Sequence, residues 1–137
     1  MIRTFLDANV LIAAHRGQPA ERQGALALLA HPERLFVSSP FLYLEIVPKA
    51  VYNGRHSEVA FYRTYFETKV LNSVEDVAAI TQLAREEAER CGLSAMDALH
   101  AAAASIAEAD ELVTLEGPGK PLHRSSLVRV VHLQAAE

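Results

Sequence analysis

The sequence predicts an α/β sandwich around a mostly parallel sheet of four to five strands. Three observations lead there. Apolar residues recur with a period of two in some short runs and of 3.6 in others, and the two kinds of run alternate along the chain. Strands that alternate with helices need crossover connections, which set parallel strands side by side and leave helices to cover the sheet. The chain has 137 residues, half of them hydrophobic, which is the size of one domain with enough apolar material for one core. A single domain over residues 1–137 is expected, because no repeat, low-complexity tract or linker divides it.

Each element has its own reason. "IRTFLD" (2–7) reads as a short strand, with Asp7 directly after Phe5 and Leu6 where the strand runs out. "NVLIAAHR" is a helix that begins at once, with Asp7 or Asn9 placed to cap it. "AERQGALALLAHPE" is a second helix, stopped near Pro32. "RLFVSS" is a strand, after which Ser39 supplies an N-cap and Pro40 the preferred first helical residue for "FLYLEIVPKAVY". Pro48 lies inside that helix, removes the bond to the Leu44 carbonyl and is expected to kink it just after Glu45. "SEVAFYRTYFETK" follows as a helix and "VLNSV" as an extended segment. "EDVAAITQLAREEAERCG" is a longer helix, with Ser73 as its expected cap and Gly92 as its stop. "SAMDALHAAAASIAEA" is another helix, "ELVTL" a strand, "EGPGKPLHRSS" a loop and "LVRVVHL" the final strand.

Composition excludes several classes of function. The only apolar stretch near the start is interrupted by Asp7, and nowhere do about 18 apolar residues run together, so neither a leader nor a membrane span is expected. A cytoplasmic location follows as the expectation. Cys91 is the sole cysteine and has no internal partner. The six histidines show no zinc-ligand spacing and read as ordinary core or surface residues. A net charge of -4 and a pI near 5.9 argue against coating nucleic acid by bulk charge. They leave room for an enzyme that cuts it, with local acids for metal and a modest basic rim.

In open parallel sheets ligands gather beyond the C-terminal ends of the strands. Four acids far apart in sequence fall near that edge. Asp7 ends the first strand, and Glu45 sits just over a turn into the helix after the second. Asp97 lies in the first turn of the alanine-rich helix, and Glu116 follows "ELVTL". Each also has a plain structural explanation. Ser94-x-x-Asp97 is a capping box, Asp7 caps a helix, Glu45 faces solvent and Glu116 is a loop acid. The neighbours strengthen the functional reading. Asn9 stands two residues from Asp7, small residues surround Asp97 in "SAMDALHAAAA", and "ADELVTLE" sets Thr114 and Glu116 on either side of Leu115.

In these residues the chain resembles the PIN-domain nucleases, many of which are the VapC-like toxin halves of bacterial toxin–antitoxin pairs. The resemblance runs from Ile2 to about His132. Asp7, Glu45, Asp97 and Glu116 match the family's four acidic positions in order, and Asn9 and Thr114 match the polar positions beside them. The fourth acid is usually Asp; here it is Glu116, followed by "GPGKPLHR".

The resemblance implies a PIN-like α/β/α sandwich and a metal-dependent endoribonuclease with those four acids as its catalytic set. It also implies a cognate antitoxin and a homodimer. The chemistry suits the residue types. Bare carboxylates repel a phosphodiester, whereas Mg²⁺ or Mn²⁺ held by oxygen ligands neutralises it and activates water. In the implied site Asp7, Asp97 and Glu116 hold metal directly and Glu45 serves a second ion or its water. Asn9 and Thr114 orient the carboxylates. Candidates for the cations that meet RNA are Arg16, Lys49, Arg55, Lys120 and Arg124, with Lys120 and Arg124 favoured because their loop directly follows Glu116. Phe61, Tyr62, Tyr65 and Phe66 recur at helical spacing, as core or as a subunit interface.

Two other readings compete. A PIN-like module without catalysis would bind RNA and keep that affinity when Asp7 is removed; the Glu116 departure is its main support. A phosphatase of the haloacid-dehalogenase type wants a second aspartate two residues after the first, and Asn9 stands there instead.

Overall fold

The structure, a computed structural model, describes residues 1–134. The five strands are β1 (Ile2–Leu6), β2 (Arg34–Ser38), β3 (Val70–Ser73), β4 (Glu111–Thr114) and β5 (Val130–His132). The α-helices are α1 (Ala8–Arg16), α2 (Pro19–Leu29), α3 (Pro40–Tyr52), α4 (His56–Thr64), α5 (Val77–Cys91) and α6 (Ala95–Ile106). The strands form one sheet in the order β3-β2-β1-β4-β5, and every pairing in it is parallel. The α/β expectation holds, and the sheet has the full five strands.

Period two assigns the faces. Phe5, Val37 and Leu112 point to a core shared with α5 and α6, while Leu6, Phe36 and Val113 point to a core shared with α1 to α4. Burying a side chain such as Phe5 or Leu6 stabilises the fold by about 1.5–3 kcal/mol, and both are 0% exposed. Ala101 to Ala104 are equally buried, so their missing bulk lets α6 lie close on the sheet. Among the described residues no helix is long and apolar enough to cross a membrane.

Four local expectations change. The cap of α5 is Asp76, whose Oδ1 accepts from the Ala79 N–H at 3.1 Å. Ser73 is unavailable because it closes β3 opposite Ser38. Pro48 lies inside α3 as expected, on its exposed side. The segment after Arg55 divides into α4 and a π-helical turn, Tyr65–Lys69. The predicted loop after β4 contains a 3-10 turn, Pro121–Arg124, and β5 occupies only three residues of the run 127–133.

Candidate active site

The two central strands build the site. β1 and β4 lie side by side with Leu6 opposite Val113, so Asp7 and Thr114 emerge together at the C-terminal edge of the sheet. Asp7 caps α1: its Oδ1 accepts from the Ala8 N–H at 2.8 Å. Its other oxygen accepts from the Thr114 hydroxyl, also at 2.8 Å. That hydroxyl in turn accepts from the Asn9 amide at 3.3 Å and from the Glu116 N–H at 3.0 Å. Asn9 completes the mesh by accepting from the Leu115 N–H at 3.0 Å. The carboxylate at the end of β1 therefore caps a helix with one oxygen and is held by Thr114 through the other.

The other acids reach the same place from α6, α3 and the segment after β4. Asp7, Glu45, Asp97 and Glu116 all line one groove of about 360 Å³. In the predicted capping box, Ser94 accepts from the Asp97 N–H at 3.3 Å, so Ser94 serves the helix start and the Asp97 carboxylate contributes to the groove. Burial raises the pKa of Asp97 above its usual value, and the negative charges of Asp7 and Glu116 add to that. Asp7 is 7% exposed, and burial likewise raises its pKa, against the opposing influence of His100, Thr114 and the Ala8 N–H. Burial together with neighbouring negative charge makes both Asp7 and Asp97 harder to ionise.

His100 is the residue that reading the sequence missed. It lies one turn beyond Asp97 on α6, is 1% exposed and packs at 5.7 Å from the Phe5 ring. Its Nε2 stands 3.2 Å from Glu45 Oε1 and 3.4 Å from Oε2, while Nδ1 is buried with no partner among the described residues. Asp7, Glu45 and His100 each offer a ligand atom, all within 4.8 Å of one another. A metal-bound imidazole normally gives its other N–H to an acceptor. A proton on Nδ1 here would be a buried, unmatched donor at a cost of about 1–3 kcal/mol. The proton therefore belongs on Nε2, donated to Glu45, and His100 positions that carboxylate. The i, i+3 spacing of Asp97 and His100 on one helix face was the available signal.

The basic candidates separate. Arg16, Lys49 and Arg55 line the groove. Lys120 and Arg124, favoured from sequence, are not among its lining residues. The 3-10 turn folds their segment back toward α5, where Arg124 donates to the Cys91 carbonyl at 3.2 Å. Of the four aromatics, Tyr62 and Tyr65 are buried core residues, with Phe61 and Phe66 packed partly against that core. Tyr62 also lines the groove.

Comparison with known proteins agrees with this architecture. No curated protein matches the sequence. Among solved structures, VapBC2 from Rickettsia felis, bound to a DNA fragment from its promoter, is similar with a TM-score of 0.71 at 17% identity, over 97% of this chain and 100% of that one. A toxin–antitoxin complex from Klebsiella pneumoniae gives a TM-score of 0.67 at 20% identity, over 93% and 95%. VapC20 from Mycobacterium tuberculosis, a sarcin-ricin loop cleaving toxin, gives 0.69 at 17% identity, over 89% and 95%. At such identities the likeness is one of fold. Residues 4–116 match the PIN domain family, a span that starts in β1 and ends on the fourth acid, and the chain belongs to that family.

Proposed function

We propose that the chain acts as a single PIN domain that hydrolyses RNA phosphodiester bonds internally, with Mg²⁺ or Mn²⁺, as the cytoplasmic toxin of a type II toxin–antitoxin pair. The observation that carries this reading is the convergence of Asp7, Glu45, Asp97 and Glu116 on one groove beside the C-terminal edge of the sheet.

The donor set fits a hard divalent cation, because it is all carboxylate oxygen and because buried Asp7 and half-buried Asp97 resist ionising side by side. When bound, such an ion neutralises the phosphodiester, activates the attacking water and stabilises the leaving oxygen. Asp7, Asp97 and Glu116 would hold it directly, with Glu45 serving a second ion or its water. Thr114 and Asn9 keep Asp7 in one orientation, and His100 does the same for Glu45. Glu116, one methylene longer than the usual aspartate, lies near enough to Asp97 to raise its pKa, which supports a place in the set.

Similarity to toxin–antitoxin structures supports a cognate antitoxin as partner. A homodimer is supported by α3, which exposes Leu44 (66%), Val51 (49%) and Tyr52 (90%) along one stripe with Pro48.

The test is cleavage of pooled cellular RNA by purified protein with Mg²⁺ or Mn²⁺, beside Asp97→Asn and EDTA controls. Cleavage by the wild type alone is expected, and Asp7→Asn should lose toxicity on expression. RNA that is bound but never cut with either metal would favour the non-catalytic module.

A further inference from the structure

The groove is polarised along its length, and its basic end has a construction of its own. Asn9, Ile12 and Arg16 follow one face of α1, which Asp7 caps, and Glu45 and Lys49 follow one face of α3, with Asn53 just past its end. From Asp7 to Arg16 the helical rise amounts to about 13 Å. At the far end Arg16 Nε lies 3.1 Å from Glu58 Oε1, and Arg55 Nη1 lies 4.0 Å from the same oxygen. Glu58 is only 6% exposed, while the two arginine side chains are 49% and 47% exposed.

A buried carboxylate needs pairing, and this one is met from two sides. It holds Arg16 as a close ion pair and Arg55 at the edge of one, while both arginine side chains remain about half open to solvent. Two cations on one anion leave net positive charge there, and Lys49 on the α3 wall adds to it. Tyr62 lines the same groove, with its buried hydroxyl beside Arg16 and Glu58. Burial, and then the Glu58 charge, push its pKa up to about 12, so it stays a neutral donor. A second hollow shares Arg16, Arg55 and Glu58 and adds His15, His56 and Ser57.

We propose that Arg16 and Arg55, braced on Glu58, form a second anion subsite that takes a backbone phosphate of the strand whose scissile phosphate lies at the acids. This rests on the nuclease reading of the groove. Guanidinium forks match phosphate oxygens in pairs. A nucleic-acid strand, unlike an isolated anion, carries regularly spaced phosphates that can occupy both ends of one groove at once.

The test uses the full chain carrying Asp97→Asn, so that the strand stays intact, and a labelled single-stranded oligoribonucleotide of mixed sequence followed by fluorescence anisotropy across a salt series. The double variant Arg16→Ala/Arg55→Ala should lower the slope of log affinity against log salt by about 0.7, one phosphate contact on a single strand, and each single variant should weaken binding with a smaller fall in slope. Arg16→Lys and Arg55→Lys keep charge without the fork, and should weaken binding while leaving the slope in place. Glu58→Ala makes the protein more positive yet should weaken binding, because it releases both arginines. Tighter binding by Glu58→Ala would overturn the brace. Arg85→Ala, on the exposed face of α5, should match the parent. Arginine variants that also match the parent would overturn the subsite, as would a parent that ignores RNA but binds polyglutamate. Wild-type cleavage of pooled RNA is run in parallel. No cleavage with the arginine effects intact rejects the nuclease reading alone; cleavage with unaffected arginine variants rejects the subsite alone.

Discussion

Asp97 stands between structure and chemistry, and pH separates the two. Its pKa is raised in the fold, so the ionised side chain costs stability at neutral pH. As pH falls through the raised value the folded state takes up a proton that the unfolded state still lacks, and the cost is relieved; below the usual 3.8 it is gone. Asp97→Asn, which keeps the Ser94 cap, should therefore be more stable than wild type at neutral pH in EDTA, with the gap closing on acidification. Urea midpoints across pH test this; a gap that widens toward acid would refute it. Glu87 works in the opposite sense. Hydrogen bonds from Ser125, Arg90 and the Ser126 N–H outweigh its burial and lower its pKa. Its stabilisation is present above the ordinary carboxylate range and lost as pH falls through the lowered value.

His100 permits a sharper residue-scale prediction. Loss of a group that orients a metal ligand typically lowers metal affinity or activity about 10–100-fold. His100→Leu should fall in that range by calorimetry with Mn²⁺ and by cleavage rate. His100→Gln keeps an amide N–H for Glu45 and should recover part of both. Equal losses in the two variants would point to a ligand and not a donor.

Among elements, the turn between α5 and α6 sets where the Asp97 helix starts. Gly92 ends α5 with φ 68° and ψ 40°, the left-handed region, and a Cβ there would come within 3.4 Å of Arg124 Nη1. Gly92→Ala should cost about 1–2 kcal/mol by denaturant titration. No loss would mean the turn relaxes freely. The sequence announced this stop, the Ser94 cap and the strand-to-helix junction at Asp7, because those signals are local. It did not announce the Asp76 cap or the π-helical turn. Ser73 and Asp76 are both good caps, and the pairing of β3 with β2 decides between them.

The molecule as a whole places one apolar stripe, Leu44, Pro48, Val51 and Tyr52, on the outside of a helix whose other face lines the groove. If that stripe is the homodimer contact, Tyr52→Glu should shift the protein to monomer in light scattering while its far-UV circular dichroism stays that of the folded chain, since Tyr52 is 90% exposed in the single chain. A variant that remains dimeric would move the interface elsewhere.

By itself the sequence determined the alternation of strands and helices, the parallel sheet this forces, and the order of four acids at strand ends and helix starts. Period two, period 3.6 and capping are short-range rules, each legible within a few residues. Only the tertiary structure decided which charged side chains meet. Glu111, also buried, pairs with Arg34 at 2.9 Å and Thr4 at 2.7 Å, and Glu58 holds Arg16, while Asp7, Glu45, Asp97 and Glu116 are left to line one groove. The residue types are the same in all these places. Their fates differ because strand order and helix docking bring a cation to some carboxylates and another carboxylate to others, across separations that no local pattern spans.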